Sequence, residues 1–388
     1  MNNIGSEDLL AGVTVLDMSQ FLAGPMAALR LGDLGARIIK IERPDGGDLC
    51  RRLYLSDTEI GGDSTLFHAI NRGKESFAAN MKDPDDLAAI LRLIESADVV
   101  IQNFRPGVIE RLGLGYDAVR KVNPRIVYGS ITGYGPADDW RHLPGQDLLA
   151  QARSGAMWLN GEADDGPVPF GLAIADMLAG NLLVQGILAG LVRRGVTDEG
   201  VHVETSLIEA MLDFQFEVLS THLNDGGRLP KKSSVRNAHA YLSAPYGVYQ
   251  CSDGWLALAM TPLVNLAPLL DLPALATYSA DEAFSRRDEI KTMIAGQMRL
   301  RAVRDWLALL EPADIWAAEV LDWPKLIETA AFRQIDMLQT VARNDGVSMR
   351  TTASPIRVNG KRRKDDRAAP TIGDRSEQIR AEFCAPAQ

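Results

Sequence analysis

Apolar and polar positions change texture at short intervals through the first half of the chain. Short, mostly apolar runs, GVTVLDMS (12–19), RIIKIE (37–42), SFAAN (76–80), DVVIQN (98–103) and RIVYGSI (125–131), read as strands with both faces covered. Between them lie segments with helical spacing. PMAALRLGDLGA (25–36) opens on a proline and closes on a glycine, and PDDLAAILRLIESA (84–97) follows the third run. Strands alternating with helices predict an α/β domain built on a mostly parallel sheet, with ligands at the carboxyl ends of the strands.

Further along, 147–158 and 177–192 read as helices. GVHVETSL (200–207) reads as a strand feeding a helix over 208–223. The polar, glycine-bearing stretch NDGGRLPKKSS (224–234) reads as a linker. Beyond it the pattern changes. PYGVYQCSDGWLALAM (245–260) predicts a hairpin turning at Ser252, Asp253 and Gly254, and 281–320 predicts broken helices. This is a second, smaller domain. The tail carries KRRKDDRAAP (361–370), a short basic run followed by two aspartates. It reads as a solvated loop, with a phosphate-binding patch as the alternative.

Composition adds exclusions. A chain of 388 residues, 46% apolar and 24% charged, supports one large core and one smaller one. A net charge of −10 argues against broad attraction to nucleic acid or membrane. Cys50, Cys251 and Cys384 are far apart and lack metal or redox spacing, which suits a reducing, cytoplasmic compartment. The first residues, MNNIGSEDLL, show no signal-peptide pattern. The apolar run 177–192 is interrupted by Asn181 and Gln185 and reads as a buried helix of a soluble protein.

Several chemistries are poorly supported. The loop after the first strand, SQFLAGP (19–25), lacks the glycine fingerprint of dinucleotide binding, although Glu42 ends the second strand where such folds place a ribose-binding acid. No histidine falls in a metal-binding motif, and no GxSxG nucleophile elbow occurs. Asp176, in GLAIADMLAG (171–180), stands out as an acid at the start of an apolar helix. It is either the cap of that helix or a carboxylate in apolar surroundings, with a shifted pKa and a nucleophile's role.

The ordered series VLDMSQFLAGP (15–25), LGARIIKIERPDGGD (34–48), NRGKESFAANMKDPDD (71–86), ADVVIQNFRPGVIERLGLGYD (97–117), NPRIVYGSITGYG (123–135), GQDLLAQARSG (145–155) and GLAIADMLAGNLLVQGILAGL (171–191) resembles the class III coenzyme A transferases. That family includes formyl-CoA and carnitine CoA-transferases and the α-methylacyl-CoA racemases. PYGVYQCSDGW (245–255) and SPIRVNG (354–360) extend the resemblance over nearly the whole chain. It implies an α/β fold, a Rossmann-like large domain with a smaller α+β domain, and an interlocked homodimer. Residues 1–223 would form the N-terminal part of the large CoA-binding domain, 224–235 a linker and 236–325 the small domain. Residues 326–388 would be a linker and a C-terminal return to the large domain.

The resemblance implies transfer of coenzyme A from an acyl-CoA to a small carboxylic acid, with coenzyme A as substrate and no tightly bound cofactor or metal. The family's catalytic aspartate falls on Asp176, which would form a mixed anhydride and then an aspartyl-CoA thioester. Gln20 stands where formyl-CoA transferases carry histidine and joins Asp176 in the implied catalytic set. Their catalytic glutamine falls on Leu22, which counts against formate or oxalate as substrates. For coenzyme A, the resemblance implicates Arg43, Arg72, Lys74, Asn103, Phe104, Arg105 and Arg111, with Tyr134 near the reaction centre. Gln146 replaces the racemase histidine of GHD, and an amide is no general base. Racemisation or epimerisation of an acyl-CoA is therefore the disfavoured alternative, beside a non-catalytic CoA-binding relative.

Overall fold

The computed structural model describes residues 8–384, which divide into two units. The first comprises residues up to 150, 173–214 and 335 onward; the second comprises 151–172 and 215–334.

Six strands build the main sheet of the first unit: β1 (Thr14–Asp17), β2 (Arg37–Glu42), β3 (Glu75–Ala78), β4 (Val99–Gln102), β5 (Val127–Thr132) and β6 (Val201–Ser206). They form one sheet in the order β3-β2-β1-β4-β5-β6, and every neighbouring pair is parallel. The order reverses between β1 and β4, so the loops after these two strands diverge and leave a crevice, as in other open α/β sheets. The apolar runs are dense because both faces are covered. On one face Leu16, Ile39, Phe77, Val100 and Tyr128 pack with α2 (Pro84–Ser96) and Ile379 of the C-terminal helix Ser376–Phe383.

The other face carries α1 (Ala23–Asp33) and α3 (Ile174–Thr197). α1 begins two residues before Pro25; a proline fits there because first-turn amides have no intrahelical acceptor. By length and composition α3 could cross a membrane. Here it is packed on the sheet, with Leu183, Val184 and Ile187 buried. Small residues allow the close approach: a Cβ on Gly186 would lie 2.4 Å from Val203, and one on Gly180 would lie 2.7 Å from the Ala23 carbonyl oxygen of α1.

The second unit holds an antiparallel sheet of β7 (Gly247–Gln250), β8 (Trp255–Leu258) and β9 (Ala317–Glu319), packed on Ile290, Ile294 and Trp306. The expected hairpin is present. Strand β9 was not expected, since its sequence, AAE, favours helix and gains its extended form from pairing with β8. The helix expected over 208–223 is two, Leu207–Phe214 and Phe216–Asn224, broken at Gln215 where the chain leaves the first unit.

The basic run near the C-terminus is a loop, and its cations are paired. Arg363 pairs with Asp8 at 2.6 Å and Lys364 with Asp336 at 2.7 Å, while Arg362 donates to the carbonyls of Ser354 and Ile335. Arg363 thereby fastens the returning chain to the start of the first unit, while Arg362 and Lys364 tie the returning segment to itself.

Candidate active site

The crevice is lined by residues at and beyond the carboxyl ends of β1, β2, β3 and β4. Gln20, Ile41, Arg43, Met81, Phe104 and Leu112 enclose about 170 Å³. Its apolar walls and exposed Arg43 suit a planar base beside an anion.

Buried charge holds the loop after β1 in place. Asn103 accepts from the Gln20 amide at 2.8 Å and donates to the Gln20 carbonyl at 2.7 Å. Asp48 accepts from the Phe21 amide at 3.1 Å, Asp17 from the Ser19 amide at 3.0 Å, and Lys40 donates to the Ser19 carbonyl at 2.9 Å. Phe21 takes a left-handed conformation, φ 63°, which a bulky residue adopts only when its surroundings enforce it.

The charges that fix this loop also neutralise one another. Asp17 lies 2.8 Å from the Lys74 ammonium and 3.7 Å from Lys40, and Lys40 lies 2.9 Å from Asp48. Burial alone would raise the Asp17 pKa; Lys40 and Lys74 outweigh it and hold the carboxyl near about 2. Burial lowers the Lys74 pKa to about 8 despite Asp17. A lysine inside the Ile-rich RIIKIE run has to be paired to be buried, and that was the one sequence signal for this cluster.

Asp176 lies in the first turn of α3. It does not cap the helix. Asp147 does, accepting from the Ala175 amide at 2.7 Å and the Asp176 amide at 3.3 Å. The Asp176 carboxylate has no hydrogen-bond donor among the described residues. Burial first, and the nearby Asp147 charge second, push its pKa up to about 7. Gly180, one turn along the same helix face, rests on Ala23 of α1. Sequence reasoning passed over Asp147 because capping rules look within a few residues of the helix, whereas this cap comes from GQD, 28 residues before the amide it serves.

GQD is positioned by TGYG. Gly133 and Gly145 meet backbone to backbone, and a Cβ on either would lie 2.6 Å from the other's Cα. We expect Gly133→Ala to force the two segments apart, with a loss of about 1–3 kcal/mol in urea unfolding and a fall in transfer rate as Asp147 leaves the helix end.

The remaining expected residues separate into groups. Gln20, Arg43 and Phe104 line the crevice, and Asn103 holds the loop. Arg105 and Arg111 are exposed on the segment after β4, with no ion pair found among the described residues. Tyr134 is buried; its hydroxyl donates to the Pro144 carbonyl at 3.1 Å and its ring packs edge-on to Trp140. Arg72 and Lys74 are not brought to the crevice. Both precede β3, at the opposite end of that strand, where Arg72 is buried against Asp33 at 2.7 Å. Glu42 is occupied by Arg51, which it binds through both oxygens at 2.7 and 2.8 Å. Leu22 packs on the buried group containing Cys50, Phe67 and Ile70, so its apolar side chain suits its place.

Comparison with known proteins gives a consistent result. The model of CoA-transferase family III matches residues 10–376. The acetyl-CoA:oxalate CoA-transferase of Acetobacter aceti is 31% identical over 97% of this chain and 96% of its own. The succinate–glutarate CoA-transferase of Agrobacterium fabrum is 30% identical over 96% and 95%. The crystal structure of a CaiB/BaiF family protein from Brucella suis superimposes with a TM-score of 0.82 at 29% identity, covering 96% of this chain and 99% of that one.

Proposed function

Because the chain belongs to CoA-transferase family III, we propose that Asp176 is the carboxylate through which coenzyme A passes in its reaction. The enzyme moves coenzyme A from an acyl-CoA to a free carboxylic acid, and coenzyme A is a substrate. The observation that carries the proposal is an aspartate at a helix start whose capping task is done by another residue.

The reaction balances through that one side chain. An Asp176 oxygen attacks the thioester carbonyl and expels the thiolate, leaving a mixed anhydride. The thiolate attacks the Asp176 carbonyl carbon, releases the donor acid and forms an aspartyl-CoA thioester. The acceptor carboxylate attacks that thioester to give a second anhydride. The thiolate then attacks the acceptor's acyl carbon, which yields the new acyl-CoA and restores Asp176. No net proton is taken up.

Gln20 stands at the mouth of this site, and Arg43, Asn103, Phe104, Arg105 and Arg111 belong to the nucleotide end. Arg72 and Lys74 act as internal supports. Succinate and glutarate, named for one of the relatives, are dicarboxylates; we assign this chain the same acceptor class, with Leu22 counting against oxalate itself. A panel of mono- and dicarboxylic acids, scored by new thioesters in mass spectrometry, tests it: preference for monocarboxylates would refute the assignment. Retained α-carbon deuterium exchange without transfer would instead favour a racemase, which Gln146 disfavours.

We take the working form to be an interlocked homodimer. Val192 and Val196, 73% and 85% exposed on α3, support a covering partner. Three free cysteines fit a reducing cytoplasm.

The elevated Asp176 pKa makes a pH prediction. The nucleophile must be ionised, so kcat/KM rises with pH around a midpoint near 7 and levels above it. Asp147→Asn keeps an oxygen for the cap and removes the neighbouring charge. The midpoint then moves down, while burial still holds it above an ordinary aspartate. An unmoved midpoint in the pH–rate profile would separate Asp147 from the nucleophile.

A further inference from the structure

A hydrogen-bonded chain crosses three strands of the large sheet and ends at the crevice wall. His202 of the edge strand β6 contacts Ser130 of β5, Nε2 to Oγ 2.8 Å. Ser130 contacts Gln102 of β4, Oγ to Nε2 3.0 Å. The Gln102 Oε1 accepts from the backbone amide of Phe104 at 2.8 Å. Gln102 and Ser130 are register partners in adjacent strands, and both are buried. Phe104 lines the crevice.

The proton positions follow from the one group that cannot be reversed. A backbone amide only donates, so the oxygen of Gln102 faces Phe104 and its NH₂ faces Ser130. Ser130 accepts that bond, and its own hydrogen goes to the one acceptor it touches among the described residues, the His202 Nε2. Pairing that hydrogen requires a lone pair on the nitrogen, which assigns His202 as neutral with its proton on Nδ1. Its surroundings agree. The ring stacks on Tyr116 with centroids 4.7 Å apart and meets Tyr128 edge-on at 5.3 Å. Burial lowers its pKa, outweighing the acids that face it: Glu204 on its own strand, 3.7 Å from Nδ1, with Asp117 and Glu110 from the helical segments above.

We propose that His202, Ser130 and Gln102 are positioning residues that fix Phe104 as the wall of the nucleotide crevice, and so set the enzyme's affinity for acyl-CoA from the far edge of the sheet. None touches the reacting atoms. The proposal rests on the reading of the crevice as the coenzyme A site.

The test uses full-length enzyme and measures KM and kcat for acyl-CoA with Phe104→Ala, Gln102→Leu and Gln102→Glu. Phe104→Ala tests the crevice itself, with KM expected to rise at least tenfold; an unchanged KM would overturn the site reading. Given that rise, Gln102→Leu strands the Phe104 amide and raises KM roughly fivefold to tenfold, with kcat within about twofold. Gln102→Glu keeps an acceptor for Phe104 and restores KM to within about twofold. It also reverses the chain: Ser130 now donates to the carboxylate, so His202 turns its N–H toward Ser130. Nitrogen NMR of His202 reads this directly and does not depend on the fold of Gln102→Leu. The wild type is expected to carry its proton on Nδ1 and Gln102→Glu on Nε2. Equal losses in KM and kcat, failure of glutamate to restore KM, or a wild-type proton on Nε2 would overturn the relay.

Discussion

Asp176→Asn lowers CoA transfer at least about a thousandfold and makes the free enzyme more stable at pH 8. The two effects share one cause. Asparagine cannot form the anhydride, and it relieves the burial of a carboxylate. The sign follows from linkage. The carboxyl ionises near 3.8 when unfolded and near about 7 when folded. Between those values the native state keeps a proton that the unfolded chain has released, so native stability falls as pH rises through this window. Above pH 7 the cost is complete, and the shift bounds it at about 4 kcal/mol. We expect the asparagine variant to gain on the order of 1–3 kcal/mol over wild type at pH 8 and little at pH 4, read by urea unfolding at both. A cap residue would behave in the opposite way, since losing it destabilises at neutral pH. Asp147 holds that task here.

Lys74→Met destabilises the protein by about 3–5 kcal/mol, because it leaves buried Asp17 with a single, more distant cation, Lys40 at 3.7 Å. Asp17 also holds Ser19, so the loop that carries Gln20 loosens with it. Chemical unfolding reads the stability, and acyl-CoA kinetics at low temperature read the site. A nucleotide contact would show the reverse pattern, with KM raised and stability unchanged. That pattern would return Lys74 to the crevice.

These predictions turn on what the sequence could and could not disclose. The parallel sheet was legible because strands covered on both faces must be continuously apolar, as in RIIKIE and VVIQ. The crevice was legible from the same pattern, since it lies at the carboxyl ends of the parallel strands, beside the point where strand order reverses. Arg72 and Lys74 precede β3, while the crevice lies beyond its other end; the Lys74 ammonium reaches back to Asp17 and the Pro25 carbonyl. Resemblance grouped them with Arg43 because a motif carries residue type without the direction of a side chain. The short strand β9 was hidden because three residues carry no periodicity. The Asp147 cap, the Gly133–Gly145 contact and the His202 chain were hidden for a different reason. Each joins residues distant in sequence, and only the folded backbone sets them at bonding distance.

On this mechanism Asp176 becomes covalently linked to its substrate during turnover. Rapid acid quenching of the enzyme with acyl-CoA, followed by peptide mass spectrometry, tests it most directly. A peptide spanning Asp176 is expected to carry acyl or coenzyme A mass in the wild type and neither in Asp176→Asn. Turnover with that peptide unmodified, or with the added mass on another residue, would contradict it.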